Sequence, residues 1–329
     1  MVKNIKRLIE QVAKEKDLPE KVVEYALKNA IAIAIRKDKR IKENLDIEFT
    51  EDGIKVYMVR KKQRLPLNIS MEDVNRIAAF AAKEEFLSEL ERAERERGFL
   101  EYKELEGEVV TGIVRKVLGN GDVLVDLGKV DAVLPRREQI PGEEYKVGDR
   151  VKALLLDVKK VHGEPRLILS RTHPLFLKRL LETEIPEVAE REIEIKAVAR
   201  IPGERAKVAV HAKDLKMDPV GIVVGLRGSR IQPISEELRG EKIDVIRWTE
   251  DEEEFIRRAL SPAQPTAVRL IPEEERAEVA VPKDQLSLAI GKRGTNVKLA
   301  HKLTDWHIDV MSEEDFERVS RLRDQEGGG

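Results

Sequence analysis

The sequence contains no cysteine, which excludes disulfides, thiolate-held zinc, iron–sulfur clusters and a thiol nucleophile. Aromatic residues make up only 4% of it, two of them tryptophans, so surfaces for ring stacking are scarce. No apolar run is long enough to cross a membrane. The stretch from Met1 to Val12 is charged and amphipathic, without an apolar signal core. An excess of one charge sign is missing as well: Lys and Arg number 61 against 63 Asp and Glu, a formal net charge of −2. Binding to a polyanion would therefore have to use local basic patches. We expect a cytoplasmic, monomeric protein that makes no membrane contact.

The chain has 329 residues, of which 41% are hydrophobic and 38% charged, enough for several small domains with their own cores. Residues 1–104 predict a small α+β domain. Ile5, Leu8, Ile9 and Val12 recur at helical spacing. Pro19 is placed in the first turn of a second helix, whose apolar face runs from Val22 to Ile35. Strands are expected at Leu45–Phe49 and Ile54–Arg60, joined at Asp52-Gly53. A long charged helix is expected from Met71 to Arg97, packing through Ile77, Phe80, Ala81, Phe86, Leu87 and Leu90.

Residues 105–172 change to the period of strands. Five are expected: Glu108–Val117, Asp122–Leu127, Ala132–Pro135, Arg150–Val158 and Leu167–Ser170, with a type I′ hairpin at Asn120-Gly121. Five short strands in about 65 residues predict a closed barrel of the OB type.

From residue 173 onward strands and helices alternate, and the chain repeats itself. Val208-Ala209-Val210 precedes Gly225-Leu226-Arg227-Gly228, then Ile243-Asp244-Val245. Val279-Ala280-Val281 precedes Gly291-Lys292-Arg293-Gly294, then Ile308-Asp309-Val310. The boundaries expected are 173–260 and 261–315, followed by a loose polar tail at 316–329 that ends in three glycines. In each copy an aspartate, Asp218 or Asp284, is placed to cap a short helix before the loop, and Ser229 or Thr295 to open the helix after it. The glycines permit positive φ and leave no Cβ to keep a ligand away. The next helix presents free N–H groups and a partial positive charge to phosphate. Arg227, Arg230, Lys292, Arg293 and Lys298 add cations at the same place. A lone G-x-x-G is usually only a turn; two in matching strand–helix contexts are a far more specific signal.

This pattern resembles the KH module, whose loop clamps about four nucleotides. With both leading strands ahead of the loop, it resembles the type II arrangement. The barrel resembles an S1 domain from Gly107-Glu108-Val109 through Val147-Gly148-Asp149 to Ile168-Leu169-Ser170. Its second and third strands offer Val123, Val125, Ala132 and Val133 where such domains often carry aromatics. Arg115, Lys116, Arg136 and Arg137 could still meet phosphate; the alternative is a spacer that orients its neighbours.

The remaining motifs are bland. Histidines 162, 173, 211, 301 and 307 show no metal spacing. There is no G-x-x-x-x-G-K-[ST] and no G-x-S-x-G. We expect no catalytic residue, metal or cofactor. Trp248 and Trp306 flank the last strand of each repeat and are expected to pack at a module interface.

The order of parts resembles the NusA family of bacterial transcription factors. The similarity is carried by Leu18-Pro19 to Ala26-Leu27, Arg191 to Val210, Asp218 to Ile231 and Leu288 to Val297. It implies a multidomain α+β protein: an N-terminal RNA polymerase-docking domain, an S1 barrel and two tandem KH domains. It implies single-stranded RNA, RNA polymerase and antitermination factors as partners, with effects on pausing, termination and antitermination. Some members carry C-terminal acidic repeats, and regulation through such a region is not expected here. The RNA contacts expected are Gly225, Leu226, Arg227, Gly228, Ser229 and Arg230 in the first loop. In the second they are Gly291, Lys292, Arg293, Gly294, Thr295, Asn296 and Lys298. The rival reading is a protein-interaction scaffold in which the glycines merely turn the chain; a nuclease would need clustered acidic metal ligands.

Overall fold

The computed structural model describes residues 2–50, 53–60, 63–67, 69, 71–161 and 164–326. Among them the chain forms two compact units, Met1–Glu104 with Lys159–Pro165, and Leu105–Val158 with Arg166–Gly329.

In the first unit, α1 (Val2–Glu15) and α2 (Glu20–Lys39) precede an antiparallel sheet of β1 (Asn44–Thr50), β2 (Gly53–Arg60) and β3 (Gln63–Pro66), followed by α3 (Met71–Glu104). Val23, Ala26, Leu27, Ala30, Ile31 and Ile35 of α2 pack on Ile47, Ile54 and Val56 of the sheet and on Phe86 and Leu90 of α3. Pro19 is the N-cap of α2, one place before its expected position. A third strand, absent from the expected set, is short and wholly exposed, so no alternation marks it. Helix α3 extends past Arg97, and Leu87 is 51% exposed, outside the expected stripe. Asp52, and the side chains of Ile77, Phe80 and Ala81, lie outside the described residues.

Next come β4 (Val109–Val117), β5 (Val123–Asp126), β6 (Asp131–Leu134), β7 (Arg150–Val161) and β8 (Glu164–Ser170), closed as a barrel in the order β4-β5-β6-β8-β7; apart from Lys159–Pro165 they belong to the second unit. Strands β7 and β8 each run three residues further than expected. At the β4–β5 turn only Gly121 has positive φ. Asn120 instead accepts a bond from the Asp122 N–H at 3.1 Å, an Asx turn in place of the expected type I′.

Helices α4 (Pro174–Glu184) and α5 (Pro186–Ala189) lead into β9 (Ile193–Ile201), β10 (Arg205–Ala212), α6 (Pro219–Val224), α7 (Ile231–Glu237) and β11 (Lys242–Arg247). After α8 (Glu252–Ala259) the pattern recurs as β12 (Ala267–Ile271), β13 (Arg276–Val281), α9 (Leu286–Ile290), α10 (Thr295–Thr304) and β14 (His307–Ser312). In both sheets the second strand is central, antiparallel to the first and parallel to the last. Residues 316–326, expected as part of a loose tail, belong to helix α11 (Glu313–Glu326). Its Phe316 lies under the Arg269 guanidinium at 4.8 Å, and Ser320 bonds the same group. The terminal glycines lie outside the described residues.

Strand β10 serves two cores because its side chains alternate between faces. Ala206, Val208 and Val210 join Phe176, Leu177 and Leu181 of α4, Val223 of α6 and Ile140 and Leu154 of the barrel. Ala209, with Ala199 and Ile246, faces Phe255 and Ile256 of α8 and Leu299 and Leu303 of α10. The alanines leave room for α10 to lie directly on the first module's sheet. Trp248 and Trp306 pack partly buried against this shared core. On the same face Lys207 is fully buried and donates to the Ser261 carbonyl at 2.7 Å. Burial pushes its ammonium below the usual lysine range, against the pull of Asp244.

Two ion-pair networks bolt the barrel to the first module. Buried Arg171 binds Glu143 at 2.7 Å and Glu237 at 2.8 Å. Burial opposes its charge, but the two carboxylates outweigh that and hold its pKa above the usual arginine value. Arg200 and Glu241 are both 0% exposed and meet in a bidentate pair, with each N···O distance 2.8 Å.

Candidate nucleic-acid interface

The two glycine loops have nearly the same backbone. Gly225 has φ 74° and ψ 170°, and Gly291 has φ 76° and ψ 170°, a region open essentially to glycine alone. Arg227 (φ 53°, ψ 30°) and Arg293 (φ 55°, ψ 26°) both adopt the left-handed conformation. A Cβ at Gly225 would lie 2.9 Å from the Arg230 nitrogen, and one at Gly291 would lie 2.8 Å from the Asn296 nitrogen. Glycine is thus required twice over, by conformation and by the close approach of the following segment. Gly225→Ala and Gly291→Ala should each destabilise the chain by about 1–3 kcal/mol, seen as a lower urea midpoint at unchanged slope.

This geometry turns the loop interior outward. In the first loop Leu226 is 85% exposed, with Arg227 exposed next to it; in the second, Lys292, Arg293 and Lys298 are exposed. Arg293 reaches Glu204 at 3.3 Å, an exposed pair that a phosphate could displace at little cost. Ile222, Ile231, Ile243 and Val245 lie half-buried behind the first loop, and Val297 and Val310 behind the second.

Several expected contacts sit elsewhere. Arg230 is held by Glu187 at 2.8 Å and by the Ile222 carbonyl at 3.1 Å, so it braces α6. Asn296 is 2% exposed, and its amide donates to the Leu260 and Ala289 carbonyls at 2.9 and 3.0 Å. It pins the second loop from below. Helix α7 begins at Ile231 with Arg230 as N-cap, so Ser229 does not open it, whereas Thr295 does open α10. Thr295 Oγ1 donates to the Lys292 carbonyl at 2.6 Å. Asp218 occupies the N-cap of α6 without a side-chain capping bond, and Asp284 lies in a 3-10 turn ahead of α9.

On the barrel, Arg115 is engaged by Asp131 at 2.7 Å and Asp126 at 3.1 Å. Lys116, Arg136 and Arg137 are exposed. Val123, Val125 and Ala132 are core residues, so β5 and β6 present no stacking surface through them. His173 caps α4, its Nδ1 accepting from the Leu175 N–H at 3.2 Å. His211 meets Trp248 edge-on, and the His301 and His307 rings lie 5.9 Å apart; His162 lies outside the described residues. Among the described residues no group of three His, Asp or Glu could hold a metal ion, and no helix is long and apolar enough to cross a membrane.

A closed five-stranded barrel fused to two sheets, each with an outward-turned basic glycine loop, defines a modular RNA-binding protein of the S1–KH class. Family comparisons agree: the S1 RNA binding domain matches residues 103–170, the NusA-like first KH domain 171–248 and the NusA-like second KH domain 252–318. The chain belongs to the NusA family. It is 41% identical to the transcription termination/antitermination protein NusA of Halalkalibacterium halodurans over 92% of this chain and 76% of that one. The same-named protein of Thermus thermophilus is 42% identical over 93% and 75%, and that of Bacillus subtilis 38% over 92% and 89%.

Proposed function

We propose that the protein is a passive clamp for single-stranded RNA during transcription. It would hold the nascent strand with Arg227, Lys292, Arg293, Lys298 and the backbone amides of both loops, while half-buried apolar residues beside each loop meet the bases. No bond is made or broken. The observation that carries this reading is the matched geometry of the two loops, which project Arg227 from the first and Lys292 and Arg293 from the second out of a turn that only glycine permits. Membership of the NusA family supports docking of residues 1–104 on RNA polymerase, with consequences for pausing, termination and antitermination.

In a reconstituted elongation assay, added protein should lengthen the dwell of polymerase at a hairpin-dependent pause, and a short single-stranded RNA competitor should reverse this. An unchanged dwell, with polymerase known to be bound, would overturn the role in elongation. A longer dwell that excess RNA cannot compete would favour the protein-scaffold reading.

A further inference from the structure

The glycine loops leave unexplained a cavity of about 330 Å³ beside the first KH sheet, lined by His211, Asp214, Leu215, Arg247, Trp248 and Glu250 among others. We propose that this cavity is a separate nucleobase pocket, taking one further base of the strand that the first loop grips; the inference rests on the RNA-clamp reading above.

Three observations carry it. The first is position. Pro219, the first residue of α6, and Arg247, the last of β11, both line the cavity, while the other end of α6 runs into Gly225. Six helical residues span about 9 Å. Four nucleotides clamped at the loop, even at a stacked spacing of about 3.4 Å, cover about 10 Å. A strand laid along α6 from the loop would then reach the helix's far end, with its next base at the cavity.

The second is chemistry. The half-buried indole of Trp248 is gripped edge-on by His211, with centroids 5.4 Å apart, and covered by Lys196 at 5.0 Å. A preset aromatic ring suits a planar heterocycle, and the rim offers its edge both donors and acceptors, Arg247 on one side and Asp214 and Glu250 on the other, while Arg258 is held by Glu254 at 2.7 Å. Arg247 is tied only by exposed contacts, to Asp218 at 3.6 Å and the Met217 carbonyl at 3.3 Å, so it can turn toward a ligand. The third is an uncovered lip: Leu215 is 88% exposed at the rim, and a base seated there would remove it from water. The volume is near the lower end for small-molecule sites, which fits one nucleotide better than a peptide segment.

The two tryptophans make the test direct. Trp306→Phe leaves Trp248 as the single indole, and Lys292→Asp with Arg293→Asp confines binding to the first loop. Tetra- and hexanucleotide RNAs without secondary structure are titrated into this full-length chain. The hexanucleotide should quench Trp248 emission and bind about tenfold tighter than the tetranucleotide. Leu215→Ser and His211→Ala should remove that advantage while leaving tetranucleotide affinity unchanged. A length advantage that survives both substitutions, or hexanucleotide binding without quenching, would overturn the pocket and leave the clamp standing. Quenching by an acidic peptide but not by RNA would also overturn it. Failure of both RNAs to bind would remove the clamp reading and the pocket together.

Discussion

Replacing Leu226, Arg227, Lys292 and Arg293 with aspartate is expected to weaken binding to short single-stranded RNA by at least about a hundredfold near physiological salt, without unfolding the chain. Three cations are lost and four anions gained where the strand would lie. Each phosphate contact on a single strand contributes about 0.7 to the slope of log affinity against log salt. Removing three contacts should flatten that slope by about 2, and the new carboxylates repel what remains. The fold should survive because all four side chains are exposed. Aspartate also tolerates the left-handed conformation at positions 227 and 293 better than most residues. A salt-titrated anisotropy assay, with circular dichroism confirming both folds, checks this. Undiminished binding by the folded variant would place the RNA site away from the loops.

The second large effect concerns the joint between barrel and first KH module. Arg200→Ala should destabilise the second unit by about 3–5 kcal/mol, the range for breaking a buried ion pair on one side. Glu241 would be left fully buried, with the Gly203 N–H at 3.0 Å still donating to it. The Arg171 and His173 carbonyls would each lose the Arg200 donor, now 3.1 Å away. For a unit of this size the change amounts to a fall of roughly 10 °C in Tm. The double variant Arg200→Met, Glu241→Leu should recover much of it, since no charge then remains buried. Calorimetry on the three proteins decides the point: a loss below about 1 kcal/mol in Arg200→Ala would show that the pair is not a structural bolt.

What the sequence made legible was what repeats or alternates locally. The glycine pairs of both loops, their spacing from the following Ile-Asp-Val strand and the five barrel strands could all be found from residue order. Long-range pairing could not. Arg230 looks like a loop cation until Glu187, 43 residues away, claims it, and Asn296 looks polar and exposed until Leu260 and Ala289 bury it. Strand β3 was hidden because an exposed edge strand need not alternate. Helix α11 was hidden because its sequence is densely charged, and what ties it down is Phe316 and Ser320 meeting Arg269 on another element. The carboxylate partners of Arg171 and Arg200 lie 28 to 66 residues away, beyond any local pattern.

Laying α10 on the first module's sheet has a consequence for the RNA. The two KH folds share one core, and the second loop touches the turn before β10 through Arg293 and Glu204. There is no loose tether whose entropy must be spent when the second segment of a strand lands. On the clamp proposed above, binding at one loop would present the neighbouring stretch of RNA to the other at a high effective concentration, set by a fixed span. The pair would then act as a molecular caliper: RNAs whose two contacted segments match that span should gain avidity, and those with nucleotides inserted or removed between the segments should lose it, whatever their base sequence.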